Sequence, residues 1–316
     1  GKGIKARVAP LYYGNQYFVY VYKVFTDVRL VGAPPSSIGK FGGDTDNWMW
    51  PRHTGDFSLF RVYADRNNEP APYSPDNVPY RPKRFFKINA SGISEGDFTL
   101  VYGYPGRTSE YVTSQAVDYI ANVSNPKKIK LRTIRLGIMD SQMERSDAVR
   151  IQYSSKHADV ANSWKKWQGE MKGILKMNTV ENKRNYEKAF AVWAKGKPEY
   201  DGIIGKFADL YSQAEALSLV RDYQYEALNA PEFLFFAAGD GSDSALFYKN
   251  YYKPIDKATF IALMNEYDKD IDDSYKSPYF KEKVANAGSV EKLADEIYDN
   301  DSLSLAREFY MATNTF

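Results

Sequence analysis

The sequence predicts an α+β fold, with strands in its first third and helices in the remainder. Ten of the 15 prolines lie at or before Pro105, and proline is poorly tolerated inside helices. Beyond about residue 110 the spacing of apolar residues changes to the helical period. A length of 316 residues, at roughly 150 residues per domain, favours two domains, which we place at 1–110 and 111–316.

Three segments of the first domain have the composition of strands. Residues 17–25 are rich in aromatic and β-branched side chains, as strands are. Residues 56–64 combine apolar side chains on both alternating faces, which predicts a strand buried on at least part of each face. Residues 97–104 repeat this composition before the turn-forming Pro105. The proline-rich stretch 67–82 between the last two predicts a surface loop.

The second domain shows apolar residues at steps of three and four, which predicts amphipathic helices. The longest such stripe comprises Tyr153, His157, Val160, Trp164, Trp167, Met171 and Ile174. Thr179 is a suitable N-cap for a helix that ends near Ala194, before a glycine. Further helices are expected at 203–228, 255–268 and 290–298, the last with an N-cap at Ser289.

Composition excludes several classes of function. Lys and Arg number 42 against 40 Asp and Glu, so no strong field attracts nucleic acid or anionic lipid. The chain has no cysteine, which excludes disulfides, zinc–thiolate sites and a thiol nucleophile. No apolar run approaches the ~18 residues that span a bilayer. The opening Gly-Lys-Gly leads us to expect a processed protein or an excised fragment.

Residues 42–61 are the part of the sequence that points to chemistry. Two tryptophans, an asparagine, a histidine and three aspartates lie among glycines within twenty residues. Polar and aromatic side chains at such density, on a loop that leads into a strand, indicate a functional site. A structured surface loop with a cluster of charges explains the composition equally well.

The same segment resembles a known family of peptidases. Asp56 and the residues after it resemble the strand that carries the catalytic aspartate in chymotrypsin-like serine peptidases. Residues 47–58, NWMWPRHTGDFS, are similar to the signature of the bacterial serine dipeptidyl-peptidases of that clan. Residues 96–106 are similar to the strand that opens the second β-barrel of that family. The resemblance implies part of a chymotrypsin-like double β-barrel, followed by an all-helical domain that covers the active-site cleft.

The resemblance also implies roles for three residues. Asp56 would orient the catalytic histidine and stabilise its charged form, and such a carboxylate is expected to lie partly buried at the start of a strand, with backbone donors nearby. Asn47 and Trp48 would recognise the free α-amino group of the substrate, since an amide oxygen accepts from an ammonium and an indole can wall the cleft. The implied partners are oligopeptides with a free N-terminus; a homodimer is left open. No metal and no organic cofactor is implied, and a periplasmic or secreted location fits the absence of cysteine.

The sequence departs from the family where the other catalytic residues are expected. Its two histidines are His53, too close to Asp56 along the chain, and His157, which is better explained as an interhelical residue. No nucleophile elbow occurs, and the glycine–serine stretch 239–244 is better explained as a turn between helices. We therefore expect the histidine, the serine and the P1 pocket to lie outside this chain, and the isolated fragment to be inactive. The alternative is a non-catalytic peptide-binding module on the same scaffold.

Three other clusters have simpler structural interpretations. The acidic groups at 44–47 and 268–273 lack the calcium-loop pattern, so solvated turns are expected. Five basic residues lie close together on a predicted helix, and the interleaved Ile129, Leu131 and Ile134 form the packing side of that helix. The basic residues are therefore expected on a solvated surface. These five are Lys127, Lys128, Lys130, Arg132 and Arg135. Trp164, Trp167 and Met171, at helical spacing, are expected in the core.

Overall fold

The computed structural model describes residues 3–51, 53–100, 111–239 and 244–314. The chain divides into two compact units, Gly1–Gly106 and Arg107–Phe316. Antiparallel strands lie in the first unit and long helices in the second. The prediction of a mixed fold with strands first and helices after is confirmed at this level.

The described part of the first unit contains two small antiparallel sheets. Strands β1 (Ile4–Leu11) and β2 (Gln16–Lys23) form a hairpin in which Ile4 lies opposite Lys23. Strands β3 (Val28–Gly32), β4 (Leu59–Ala64) and β5 (Val78–Pro79) form a second sheet in that order. Two short helices, α1 (Ser36–Gly39) and α2 (Gly43–Asp46), lie between β3 and β4.

The strands agree only partly with the sequence-based expectations. The strand expected at 17–25 is present as β2. The one expected at 56–64 begins only at Leu59, and its predicted burial is wrong, because Leu59 and Phe60 are both more than half exposed. Strands β3 and β5 pair with the edges of β4 and leave its faces open. Only Ala64, at its end, is buried.

The strand expected at 97–104 is not formed in the part that the structure describes. Residues 97–100 have no regular structure, and the side chain of Phe98 is 90% exposed. Residues 101–104 lie outside the described residues. Apolar alternation alone does not make a strand, because extended backbone needs a neighbouring chain to satisfy its N–H and C=O groups.

A buried aspartate holds β3 to the loop that precedes β5. Asp27 is 2% exposed and accepts from Arg29 Nε at 2.9 Å and Nη2 at 2.8 Å. Asn77 Nδ2 donates to the same carboxylate at 2.8 Å, and Arg29 Nη2 also donates to the Ser74 carbonyl oxygen at 2.9 Å. The predicted surface loop 67–82 is thus tied to the sheet by charge-assisted hydrogen bonds.

The ionisation of Asp27 should make the stability of the fold depend on pH. The hydrogen bonds from Arg29 lower the pKa of Asp27 to about 2, against the opposing effect of its burial. Because the pKa is lowered, the Asp27 carboxylate stabilises the fold at pH values above 3.8, its pKa in the unfolded chain. This stabilisation is lost as the pH falls towards 2. A carboxyl-carbon NMR titration should give a midpoint near 2, and Arg29→Gln should raise it. A wild-type midpoint near 3.8 would contradict this arrangement.

The second unit consists of helices. Their bounds are α3 Ser114–Tyr119, α4 Asn125–Met143, α5 Asp147–Lys176, α6 Thr179–Ala194, α7 Ile203–Tyr223, α8 Glu232–Ala238, α9 Ser244–Lys249, α10 Lys253–Asp270, α11 Pro278–Ala287, α12 Val290–Tyr298 and α13 Leu303–Thr313. Two π-helical segments interrupt this pattern, at Ile120–Ser124 between α3 and α4 and at Gln224–Leu228 after α7.

The helical expectations are largely confirmed. Helix α12 has the predicted bounds, and Ser289 Oγ accepts from the Lys292 backbone N–H at 3.2 Å, as an N-cap does. The predicted cap at Thr179 is wrong by one residue. Thr179 is already helical, and Asn178 takes the cap position with a positive φ of 47°, a conformation that asparagine tolerates better than most residues. The π-helical segments were not predicted.

Two clusters of buried side chains form the core of the helical unit. The larger brings together aromatic residues of α10 to α13, and Tyr267 and Phe280 meet edge to face with ring centroids 4.9 Å apart. The smaller lies between α4 and α5 and includes Leu136, Met139 and Tyr153. The apolar stripe of α5 is therefore buried where α5 packs on α4.

The basic face of α4 is not the solvated surface that the sequence predicted. Lys127 Nζ lies 2.8 Å from Asp270 Oδ2, and Lys130 pairs with Glu266. Arg132 makes two hydrogen bonds to Glu226, at 2.7 and 3.0 Å. These acids lie about a hundred residues further along the chain, so a local charge pattern could not reveal them. The same pairing explains why Asp270 of the acidic cluster is nearly buried.

Candidate functional site

The candidate site is the loop from Pro35 to Ser58, which joins β3 to β4. Pro35 ends the extended chain, and its carbonyl oxygen accepts from the N–H groups of Ile38 and Gly39, each at 2.9 Å. This closes α1 as a single turn of helix. Gly42 then leads into α2, which begins at Gly43.

Gly42 fits its position because it has no Cβ. Its φ is 77°, in the left-handed region, and a Cβ added there would lie 2.1 Å from Asp46 Oδ2. The Asp46 carbonyl oxygen accepts from the Met49 N–H at 3.1 Å. Asn47 and Trp48 therefore form a tight turn, in which Trp48 has a positive φ of 59°.

Two hydrogen bonds tie the end of this loop back to its beginning. Thr54 Oγ1 donates to the Phe41 carbonyl oxygen at 2.7 Å, and the Gly55 N–H donates to the Ile38 carbonyl oxygen at 3.1 Å. The Ile38 side chain also packs closely on Gly55, since a Cβ on Gly55 would lie 3.0 Å from Ile38 Cγ2. Asp56, the next residue, is thereby held on the same tethered loop as Asn47 and Trp48.

The surroundings of Asp56 differ from the expectation of a partly buried carboxylate with backbone donors at the start of a strand. Asp56 is exposed, and β4 begins three residues later, at Leu59. Within the described residues, no hydrogen bond or ion pair reaches its carboxylate. The physical reason is that residues 56–58 pair with no strand among the described residues, so no neighbouring strand supplies N–H groups.

Asn47 and Trp48 lie where a ligand can approach them. Asn47 is half-buried, and the indole of Trp48 is 53% exposed. Met49 and Trp50 beside them are exposed as well. An amide next to open aromatic surface can bind a group that is polar at one end and apolar along its length.

The two histidines lie in different units of the chain. His53 lies on the candidate loop and is exposed. His157 lies on α5 of the helical unit, and its Nε2 is 2.9 Å from Asp140 Oδ1 on α4. Its prediction as an interhelical residue is confirmed. Among the described residues, no group of three His, Cys, Asp or Glu side chains is arranged to hold a metal ion.

The remaining glycine–serine stretch joins two helices. Gly239 follows α8, and Ser244 begins α9. Residues 240–243 between them lie outside the described residues, so the turn predicted there stays a prediction.

Comparison with known families identifies the chain from its sequence as a whole. The profile of the family described as Peptidase S46 matches residues 1–239, which include the candidate loop. The chain belongs to the peptidase S46 family. The recognition made from residues 47–58 is thereby confirmed.

Individual relatives of this S46 chain are enzymes named for dipeptide release. It is 52% identical over 225 residues to an Asp/Glu-specific dipeptidyl-peptidase of Flavobacterium psychrophilum, covering 70% of this chain and 32% of the relative. It is 47% identical over 231 residues to dipeptidyl-peptidase 7 of Porphyromonas endodontalis, covering 72% of this chain and 28% of the relative. The S46 chain thus spans about a third of the length of these curated relatives.

A solved structure is similar along nearly the whole chain. The crystal structure of Porphyromonas endodontalis DPP11 in complex with the dipeptide Arg-Glu matches with a TM-score of 0.82 and 36% identity. The match covers 98% of this S46 chain and 48% of that one. In the described part of the S46 chain, no helix is long and apolar enough to cross a membrane.

The sequence did not reveal what holds the candidate loop together. The tether uses Thr54 and Gly55 at one end and the carbonyl groups of Ile38 and Phe41 at the other. Gly55, directly before Asp56, was the available signal, because a glycine beside a functional residue often marks a close backbone approach. Every residue has a backbone carbonyl oxygen, so the sequence does not show which carbonyl groups accept these hydrogen bonds.

Proposed function

We propose that the protein containing this S46 chain is a serine-type dipeptidyl-peptidase that releases dipeptides from the N-termini of peptides. The observation that carries the proposal is the single tethered loop that presents Asn47, Trp48 and Asp56 in a chain of the S46 family. Relatives named for this activity support it.

Each of the three residues has a proposed role. Asp56 orients the catalytic histidine in the tautomer that accepts a proton from the serine, and it stabilises the imidazolium that forms. The reaction is acyl transfer to serine followed by hydrolysis, without a metal or an organic cofactor. The histidine and the serine belong to parts of the protein outside these 316 residues, so the isolated chain is proposed to be inactive. Asn47 accepts from the substrate ammonium while Trp48 walls the cleft.

We also propose that the first unit is part of a chymotrypsin-like double β-barrel and that the helical unit covers the cleft. Supporting this is the apolar surface of the β1–β2 hairpin, where Val8 and Val19 are both more than half exposed. Such strands are stable in water when further strands cover them. The matched relatives are long enough to supply those strands.

The amine-binding role is tested by substrates that differ only at the N-terminus. We expect Asn47→Ala to raise the KM of a dipeptidyl-naphthylamide about tenfold or more, because a hydrogen bond to a charged group is lost. The N-acetylated substrate lacks the ammonium, so its slow hydrolysis should not change further. Steady-state kinetics of the full-length protein with both substrates measures the difference.

Asn67→Ala is the matched control for this experiment. Asn67 is an exposed asparagine in the same unit, and its replacement should leave the KM for both substrates unchanged. Equal effects of Asn47→Ala on the free and the acetylated substrate would remove Asn47 from amine recognition.

We propose a periplasmic or secreted location and oligopeptide substrates for the whole protein. The absence of cysteine fits an exported protein. Solved relatives hold the dipeptide Arg-Glu and a substrate, which supports peptides as the ligand class. A homodimer stays a prediction.

A further inference from the structure

The helical unit contains a cavity of about 650 Å³ that the proposed function does not use. Its walls come from α3, the π-helical segment Ile120–Ser124, the start of α4, the last third of α5 and most of α7. Small-molecule sites in proteins have volumes of roughly 300–1,000 Å³. The cavity is large enough for a molecule the size of a short peptide.

Charged side chains of both signs line this cavity. The cations are Lys128, Lys166 and Arg221, and the carboxylates are Asp118, Glu170, Glu215 and Asp222. Within the described part of the chain, none of the three cations forms an ion pair. Asp222 accepts from the Tyr119 hydroxyl at 3.0 Å, and Glu170 accepts from Asn125 Nδ2 at 3.0 Å. These two carboxylates thus accept hydrogen bonds from neutral donors.

Lys128 is the most constrained of these cations. It is half-buried, and its ammonium lies 4.5 Å from the centre of the Trp167 ring. Burial lowers the pKa of Lys128, because the charge is taken out of water without a carboxylate in contact. Lys127, Lys130 and Arg132 on the same helix all have acidic partners. Trp167, expected in the core, instead lines the cavity.

The backbone in one wall of the cavity is irregular. The π-helical segment Ile120–Ser124 contributes directly to its wall. The second π-helical segment, Gln224–Leu228, begins two residues after Asp222. π-helical turns are rare and occur frequently at functional sites. A π-helical turn in the wall of the cavity is a second reason to consider it a binding site.

We propose that this cavity binds a short zwitterionic peptide, with its carboxylate on Lys128 and Lys166 and its ammonium on Asp222. A ligand with one charge at each end pairs with cations and carboxylates that do not pair with each other. A ligand of a single sign would leave one of the two sets without a partner. The site needs no hydrolysis, so it goes beyond the proposed peptidase activity.

The test measures binding of the dipeptide Gly-Leu to the 316-residue chain by titration calorimetry. Two blocked forms, N-acetyl-Gly-Leu and Gly-Leu-amide, keep the size and remove one charge each. We expect each blocked form to bind at least about tenfold more weakly than the free dipeptide. Equal binding of all three, or no saturable binding of Gly-Leu at millimolar concentration, overturns the proposal.

Variants place the binding in this cavity. Lys128→Met and the exposed Lys166→Gln should each weaken Gly-Leu binding about tenfold, with thermal unfolding used to check the fold. Lys172→Gln replaces an exposed lysine on the same helix as Lys166 and should change nothing. Gly-Leu binding that survives both cavity variants overturns the assignment. Kinetics of the full-length protein test the peptidase proposal, whereas Gly-Leu binding by the cavity variants tests this one, so failure of either is told apart from failure of the other.

Discussion

Asp56→Asn is expected to lower the kcat of dipeptidyl-naphthylamide hydrolysis by the full-length protein on the order of 10⁴-fold. An asparagine keeps the size of the side chain but favours the wrong histidine tautomer and gives no negative charge to the imidazolium. The tether through Thr54 and Gly55 does not involve the carboxylate, so the fold of the loop should persist. Steady-state rates measured up to saturating substrate concentration separate the loss in kcat from any change in KM.

Asp76→Asn provides the comparison for Asp56→Asn. Asp76 is an exposed aspartate of the same unit and lies outside the candidate loop. We expect full activity from it, and none from the isolated 316-residue chain. Wild-type activity in Asp56→Asn would exclude this residue from the triad. A full-length protein without any activity would favour a non-catalytic peptide-binding module.

Asp256→Ala is expected to cost the helical unit about 3 kcal/mol of unfolding free energy at pH 5. Asp256 is 2% exposed and accepts from the backbone N–H groups of Glu232 at 2.6 Å and Phe233 at 2.9 Å. The Tyr298 hydroxyl donates to it at 3.1 Å. Alanine would leave three buried donors without an acceptor, at the start of α8 and at the end of α12.

The cost of Asp256→Ala should be smaller at pH 8 than at pH 5. Burial raises the pKa of Asp256 to about 6, and the N–H groups of Phe233 and Glu232 oppose that rise. Between the unfolded value of 3.8 and about 6, the folded chain binds the proton more tightly. The stability that Asp256 contributes is therefore full below about pH 4 and falls as the pH rises through 6.

Urea denaturation at both pH values measures this difference. Asp295→Ala is the control, since Asp295 is an exposed aspartate that pairs with Lys257 at 2.7 Å, and surface pairs contribute roughly 0–1 kcal/mol. A cost of Asp256→Ala that rises from pH 5 to pH 8 would reverse the sign and contradict the raised pKa.

The sequence predicted the helices better than the strands, for a physical reason. A helix such as α12 makes its backbone hydrogen bonds within itself. Its N-cap at Ser289 and its apolar period are both visible in its own sequence. A strand needs a partner, which is not visible in its own residues. Residues 17–25 found that partner in β1, whereas residues 97–100, with a similar composition, have none among the described residues.

The candidate loop could be recognised from sequence, but its construction could not. Asn47, Trp48 and Asp56 are recognisable by residue type and spacing. The burial expected for Asp56 was wrong, because burial depends on what covers a residue and not on the residue. The partners of Arg132 and Lys130 were missed for a related reason, since both acids lie on distant helices.

The tether from Thr54 and Gly55 to α1 has a consequence for transplanting or redesigning this loop. The hydrogen bond from the Gly55 N–H to the Ile38 carbonyl oxygen closes a ring of backbone, so the turn at Asn47 and Trp48 and the following Asp56 share one anchor. An insertion anywhere inside that ring is expected to displace the turn at Asn47 and Trp48 together with Asp56. A chimera that receives only residues 47 and 48 keeps the loop-closing contacts of the host protein. A graft of residues 35–58 also transfers the hydrogen bonds that close this loop.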